Sequence, residues 1–119
     1  MADLVTERGG ISVLVCGDEG VPIASTQDAL DVIGSAFFRA DIVAVPVGRL
    51  DERFFVLRTG LAGEIMQKFV NYRIRLVVVG DISGHLAAST ALRDLVAESN
   101  RGNQVWFVDD LGDLDTRLG

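Results

Sequence analysis

From residue 4 onward the chain alternates between short apolar runs and stretches in which apolar residues recur at helical spacing. Leu4-Val5-Thr6 and Ile11 to Cys16 are β-rich runs separated by Glu7-Arg8-Gly9-Gly10, and a Gly-Gly pair between two such runs signals a hairpin. After a break from Gly17 to Pro22, Ser25 and Asp28 stand in an S-x-x-D form of the capping box. Leu30, Ile33 and Phe37 then fall on one helical face, which predicts a helix over 26–39. Gly34 within it predicts tight packing against a neighbour, because a glycine in a helix interior is unfavourable by about 1 kcal/mol. Asp41 to Pro46 reads as a buried strand ended by Pro.

Further along, Asp51 can cap a short helical turn with Leu50 and Phe55 at the two staple positions. Leu61, Ile65 and Phe69 share a face and predict a helix over 60–71, with Asn71 as a left-handed cap. Ile74 to Val79 is a nearly continuous β-branched run, the pattern of a central strand covered on both faces. Gly80 to His85 reads as a loop, and a helix over 87–100 comes next, with Leu92, Leu95 and Val96 inward. Gln104 to Val108 is the last strand and Leu111 to Leu118 a final short helix. The order β-β-α-β-α-β-α-β-α implies a single α/β domain over 1–119. Its mixed sheet has four or five strands, and the opening hairpin supplies the antiparallel part.

Composition sharpens this picture. The chain is 49% hydrophobic before its 13 Gly are counted, and about 59% with Gly added and Tyr left out, against the roughly 45–50% of ordinary soluble domains on that count. One small core cannot comfortably hide that much apolar surface, which predicts a homodimer. Phe37 and Phe38 are adjacent and cannot both face the same sheet, which leaves one aromatic for a partner. The net charge is −6, with Lys68 and ten dispersed Arg as the bases, a balance that repels phosphate backbones and argues against nucleic acid. The longest apolar run, Leu76 to Val79, is of strand length and far short of a membrane span. The N-terminus lacks the basic region of a signal peptide, and Cys16 is the only cysteine, so a reducing cytoplasm is expected.

The run Phe54-Phe55-Val56-Leu57-Arg58-Thr59-Gly60-Leu61-Ala62-Gly63-Glu64-Ile65-Met66-Gln67-Lys68-Phe69-Val70-Asn71-Tyr72-Arg73 resembles the core of a bacterial family known as domain of unknown function 4180. Gln27 to Asp31, Val79-Gly80-Asp81 and Glu98 to Asn103 resemble it too. A more distant similarity is to STAS domains, the fold of bacterial anti-anti-sigma factors, whose D-S-S-G-L motif carries a serine phosphorylated by a partner kinase. Here that place reads Leu57-Arg58-Thr59-Gly60-Leu61. The resemblance puts Thr59 on the acceptor serine, while the motif's acid is absent and Arg58 stands beside Thr59.

Two function classes emerge. The first is a non-enzymatic regulatory or protein-interaction module, acting through a surface around Thr59 and the segment Arg49 to Phe54. Arg58, Thr59, Gly60 and Gly63 would form an anion site, a phospho-acceptor or a partner-binding site at a helix N-terminus. The competing reading makes Thr59 an N-cap and packs the glycines against the sheet. The second class is a small ligand-binding protein or enzyme using carboxylates at strand ends, with Asp81, His85, Asp109 and Asp110 as the polar cluster and Asp18 nearby. These aspartates are also good turn and cap residues, so no bound metal is expected. His85, flanked by Gly84, reads as a solvated residue, and Cys16 as a small core residue. No cofactor is expected, since neither G-x-G-x-x-G nor G-x-x-x-x-G-K-[ST] occurs.

Overall fold

The computed structural model describes residues 3–119. It opens on a hairpin of β1 (Leu4–Arg8) and β2 (Ile11–Val15). Gly9 and Gly10 join them at φ +58° and +78°, and a type I′ turn needs positive φ at both of its central residues. That turn sets the antiparallel register, pairing Arg8 with Ile11 and Leu4 with Val15. The chain then runs through α1 (Thr26–Ala36), β3 (Ile42–Pro46), α2 (Leu61–Asn71), β4 (Arg75–Val79), α3 (Ser83–Ala88), α4 (Thr90–Arg101), β5 (Val105–Val108) and α5 (Leu111–Leu118). Three short 3-10 turns (Val47–Arg49, Glu52–Phe55, Leu57–Thr59) fill the connection from β3 to α2. The five strands lie side by side in sequence order, and β2 to β5 are parallel. The chain is an α/β domain with a mixed sheet, as its pattern predicts.

Strand order decides where the helices go. Each crossover from β2 to β5 steps the same way across the sheet, so crossovers of one hand return over the same face. Leu14, Val43, Val45, Leu76 and Val78 point to that face. They pack against Ala29 and Ile33 of α1, Ile65 and Phe69 of α2, Leu92 of α4, and Phe54 and Phe55 of the long connection. The other face carries Val13, Ile42, Ala44, Val77, Trp106 and Val108. Among the described residues it meets α5, through Leu114 with Leu111 and Leu118 beside it. Arg8 anchors that helix through Nη1, which donates to both carboxylate oxygens of Asp115 at 2.9 Å.

Several local expectations need correction. The first helix ends at Ala36 rather than near residue 39, because Phe38 turns left-handed at φ +64°. The segment 83–88 is a separate short helix rather than loop, and α4 starts at Thr90. Ser89 is extended there, and its hydroxyl accepts from Leu92 N at 3.1 Å, capping α4 and splitting the two helices. Asn71 is not the left-handed cap of α2. Arg73 is, at φ +57°, with Arg73 N–H bonding Val70 O and Ile74 N–H bonding Phe69 O, a Schellman motif. Gly34 is exposed, and an added Cβ would meet nothing within 4 Å, so tight packing does not explain it. The predicted caps at Ser25 and Asp51 do form, accepting from Asp28 N at 3.1 Å and from Arg53 N at 2.9 Å.

The β5 edge carries a device that no local pattern announced. Asn100 of α4 donates from Nδ2 to Phe107 O at 3.2 Å and accepts from Phe107 N at 2.8 Å. One side-chain amide thus imitates a neighbouring strand, and a satisfied edge is a poor template for pairing with other chains. Asn100→Ala should lower stability by about 1–3 kcal/mol, the sum of two hydrogen bonds, and raise aggregation on standing. Asn100→Asp, which keeps only the acceptor, should fall between the two. A denaturant midpoint equal to wild type for both variants would contradict this role.

Candidate functional site

The carboxyl ends of the parallel strands gather four connections at one edge of the sheet: β2 to α1, β3 to α2, β4 to α3, and β5 to α5. Ligand sites of open α/β sheets lie at this edge. The candidate site residues Asp18, Arg58, Thr59, Gly60, Gly63, Asp81, His85, Asp109 and Asp110 fall on these connections or on the first turns after them, and Cys16 directly follows β2. What each one does there differs.

Arg49 is 7% exposed, although its segment reads as surface from the sequence. Its Nη1 donates to Gly17 O at 3.0 Å and its Nε to Val21 O at 3.2 Å, and Asp3 lies 3.7 Å away. Gly20 lies flat against the guanidinium, where a Cβ would come within 2.8 Å of Cζ. Arg49 therefore pins the β2–α1 loop to the β3–α2 connection. Leu50 and Phe54 are buried as well, which leaves Glu52 and Arg53 as the exposed residues of that segment.

Thr59 is exposed and ends the last 3-10 turn. Gly60, at φ +78°, occupies the cap position of α2, so Thr59 is not the N-cap itself. Its Oγ1 lies 2.8 Å from both Arg53 O and Val56 O and accepts from Leu61 N at 3.3 Å. The hydroxyl thus latches the turn while still serving one orphan amide of α2. Arg58 precedes it on the exposed surface, and Gly63 lies one turn further along α2. Neither Gly60 nor Gly63 packs against the sheet, because a Cβ on either would meet nothing within 4 Å. Both instead line a groove of about 810 Å³ between α2 and α4, with Met66, Leu95 and Val105 among its apolar walls and Glu98 and Gln104 among its polar ones.

The second polar set is held apart by capping. Asp81 Oδ1 accepts from Ser83 N at 2.9 Å. Asp110 caps α5 by accepting from Asp113 N at 2.9 Å, and Asp113 in turn accepts from Asp109 N at 3.3 Å. His85 is half-buried rather than solvated, since its ring stacks on Phe55 with centroids 4.2 Å apart and planes 11° apart. Among the described residues, no three His, Cys, Asp or Glu side chains converge so as to hold a metal ion. The hollow at this edge, about 440 Å³, lies on the open face of the sheet. Leu4, Val15, Ala44, Val79 and Leu111 line it with Asp18, and Asp81, His85 and Asp109 do not.

Electrostatics obeys the same division. Cys16 is 2% exposed, and its thiol is pushed up to about 11, chiefly by burial and then by Asp3, with Arg49 opposing. A thiol so far from ionised at neutral pH is a poor nucleophile. Alkylation of Cys16 at pH 7 should therefore be slow in folded protein and fast in denaturant, and rapid labelling of the native chain would contradict its burial. Asp81 is held below the usual carboxylate range by the Ser83 N–H first and the Ser83 hydroxyl second. The Arg53 side chain first, and its N–H next, do the same for Asp51.

Because both carboxyls titrate lower in the folded chain, their contribution is complete above the unfolded value of about 3.9. It is lost as pH falls below that value and through the lower folded ones. Asp51→Asn combined with Asp81→Asn should flatten the acid limb of a stability–pH curve below about pH 4, measured by denaturant titration. A limb as steep as wild type would show that these bonds do not persist in solution.

A family model described as domain of unknown function (DUF4180) matches residues 8–118. No curated protein and no solved structure matches the chain.

Proposed function

We propose, for a chain that belongs to the DUF4180 family, a protein-interaction module that receives a partner segment in the groove between α2 and α4, beside Thr59. The observation that carries this reading is Gly63. A glycine inside α2 lowers helix stability by about 0.5–1 kcal/mol relative to alanine, yet nothing in the chain occupies the space a side chain would take. Gly34 of α1 is equally open, so Gly63 is set apart by its place on the wall of the groove, where it admits close approach by another molecule. The groove's size, about 810 Å³, and its mixed apolar and polar walls suit an extended or helical peptide laid across α2 and α4.

Thr59 stands at the α2 N-terminus, where Gly60 opens the groove, and is the natural point of control. A phosphate on Oγ1 removes the hydroxyl proton and so breaks the latch to Arg53 O or Val56 O. It also adds about −1.5 to −2 charge beside the α2 N-terminus, where negative charge is favourable, with Arg58 adjacent in the chain. The STAS-like reading, in which Thr59 falls on an acceptor serine, belongs to this same proposal. Its support is the element order and the exposure of Thr59. The strand-end carboxylates enter no part of it, since Asp81 accepts from Ser83 N and Asp110 caps α5.

The test compares four chains as bait in extract of the native cell. Wild type and Thr59→Ser should capture the same partner, Gly63→Leu should lose it, and Thr59→Glu should change its amount. Gly63→Leu should unfold at or above the wild-type temperature, because leucine favours helix and the site has room. Loss of capture would then not reflect loss of fold. Identical capture by all four chains would overturn the reading.

A further inference from the structure

The C-terminal ends of α1 and α2 lie near one another at the opposite edge of the sheet, where β3 and β4 begin. The non-glycine residues with positive φ among those described are Phe38 and Arg73, and both sit here, one just past the end of each helix. Glycine is the ordinary occupant of a left-handed helix end because it has no Cβ to strain. A phenylalanine there is unfavourable, and Phe38 is also 99% exposed. Folding and solubility would both be served better by glycine at this position. An observed strain of this kind points to use of the side chain.

Phe38 does not stand alone. Its ring meets Phe37 edge to face at 4.5 Å, and Phe37 meets Tyr72 edge to face at 6.1 Å. Phe37 and Tyr72 are themselves 42% and 46% exposed. The three rings themselves, with Ser12, Ala40 and Asp41, wall a recess of about 400 Å³. A projecting ring and a recess thus share one patch, the arrangement that a two-fold contact requires, because each copy offers the same surface to the other.

Charge selects the same partner. The chain carries a net −6, so two copies repel across most of their surfaces. This patch combines Arg39, Arg73, Asp41 and the negative ends of two helix dipoles, each equivalent to about half a charge, and it sums close to neutral. An acidic peptide or a nucleic acid would need an excess of positive charge that the patch does not have.

We propose that Phe37, Phe38 and Tyr72, ringed by Arg39, Asp41 and Arg73, form a two-fold contact surface for a second copy of this chain. Each Phe38 enters the recess of the other copy, and Arg73 of one copy faces Asp41 of its mate. The surface lies at the amino edge of the sheet, away from Thr59 and the α2 N-terminus, so the dimer and the proposed partner site stand or fall separately.

Light scattering and sedimentation of the full chain, from micromolar to sub-millimolar concentration, test this directly. Wild type should reach twice the 12.8 kDa of one chain. Phe38→Gly should weaken self-association by about tenfold or more, as removal of a central aromatic anchor does. In dilute solution it should also unfold at a temperature equal to or above that of wild type. Asp41→Arg should weaken the dimer, and pairing it with Arg73→Asp should restore it. A wild type of single-chain mass at every concentration would overturn the proposal, as would Phe38→Gly dimerising like wild type. Phe38→Gly should still capture the groove partner, which separates failure of the dimer from failure of the groove.

Discussion

Every strand from β2 to β5 is added on the same side of its predecessor, and that single topological rule decides the rest of the molecule. Three parallel crossovers moving one way put α1, α2, α3 and α4 over one face of the sheet. The opposite face is left to the segment after β5, an eight-residue helix. A parallel sheet ordinarily has both faces covered. Here α5 starts at the carboxyl end of β5 and finishes against Gly9 at the hairpin turn. It crosses the sheet on a diagonal and leaves an apolar hollow near Leu4, Val15 and Val79.

The same rule explains how the polar residues are used. The connections at the carboxyl edge carry backbone groups that need partners. Arg49 satisfies two carbonyls of the β2–α1 loop from within the protein, and Asp81, Ser89 and Asp110 satisfy amides at helix starts. Asn100 satisfies both groups of Phe107 on the open sheet edge. Trp106 is held in a similar way, with Nε1 donating to Gly102 O at 2.7 Å and the guanidinium groups of Arg75 and Arg117 at 4.5 and 4.1 Å from its ring. Arg49, Asp81, Asn100 and Asp110 are thus occupied in holding the fold.

Set against these are residues whose local conformation lowers stability. Gly63 opens a helix onto empty space, and Phe38 strains a helix end while exposing its whole ring. Local consistency is the rule in natural sequences, and departures from it mark positions with another purpose. These two positions lie on different faces, one facing the α2–α4 groove and one at the amino edge, so the two proposed contacts are separate.

The types and order of the elements were legible in the residues because they depend on neighbours close in sequence. Alternation and helical spacing mark which face of each element turns inward, a Gly-Gly pair dictates the hairpin, and Ser25 and Asp51 cap the helical turns they precede. The candidate positions at Thr59, Gly60 and Gly63 were legible as a helix start, but the open space beside the glycines was not. Burial of Arg49, pairing of Asn100 with Phe107 and stacking of His85 on Phe55 were not legible either, and the adjacency of Phe37 and Phe38 told only that one of them turns outward. Each depends on the groups that lie across space from the residue, and only the crossovers of the sheet bring those groups together. The break between α3 and α4 belongs with them, since Ser89 reads locally as one more position in a helical stretch until its hydroxyl caps Leu92. Sequence determined what each segment is, and tertiary structure decided what each segment faces, because spacing encodes periodicity but not the neighbour on the other side.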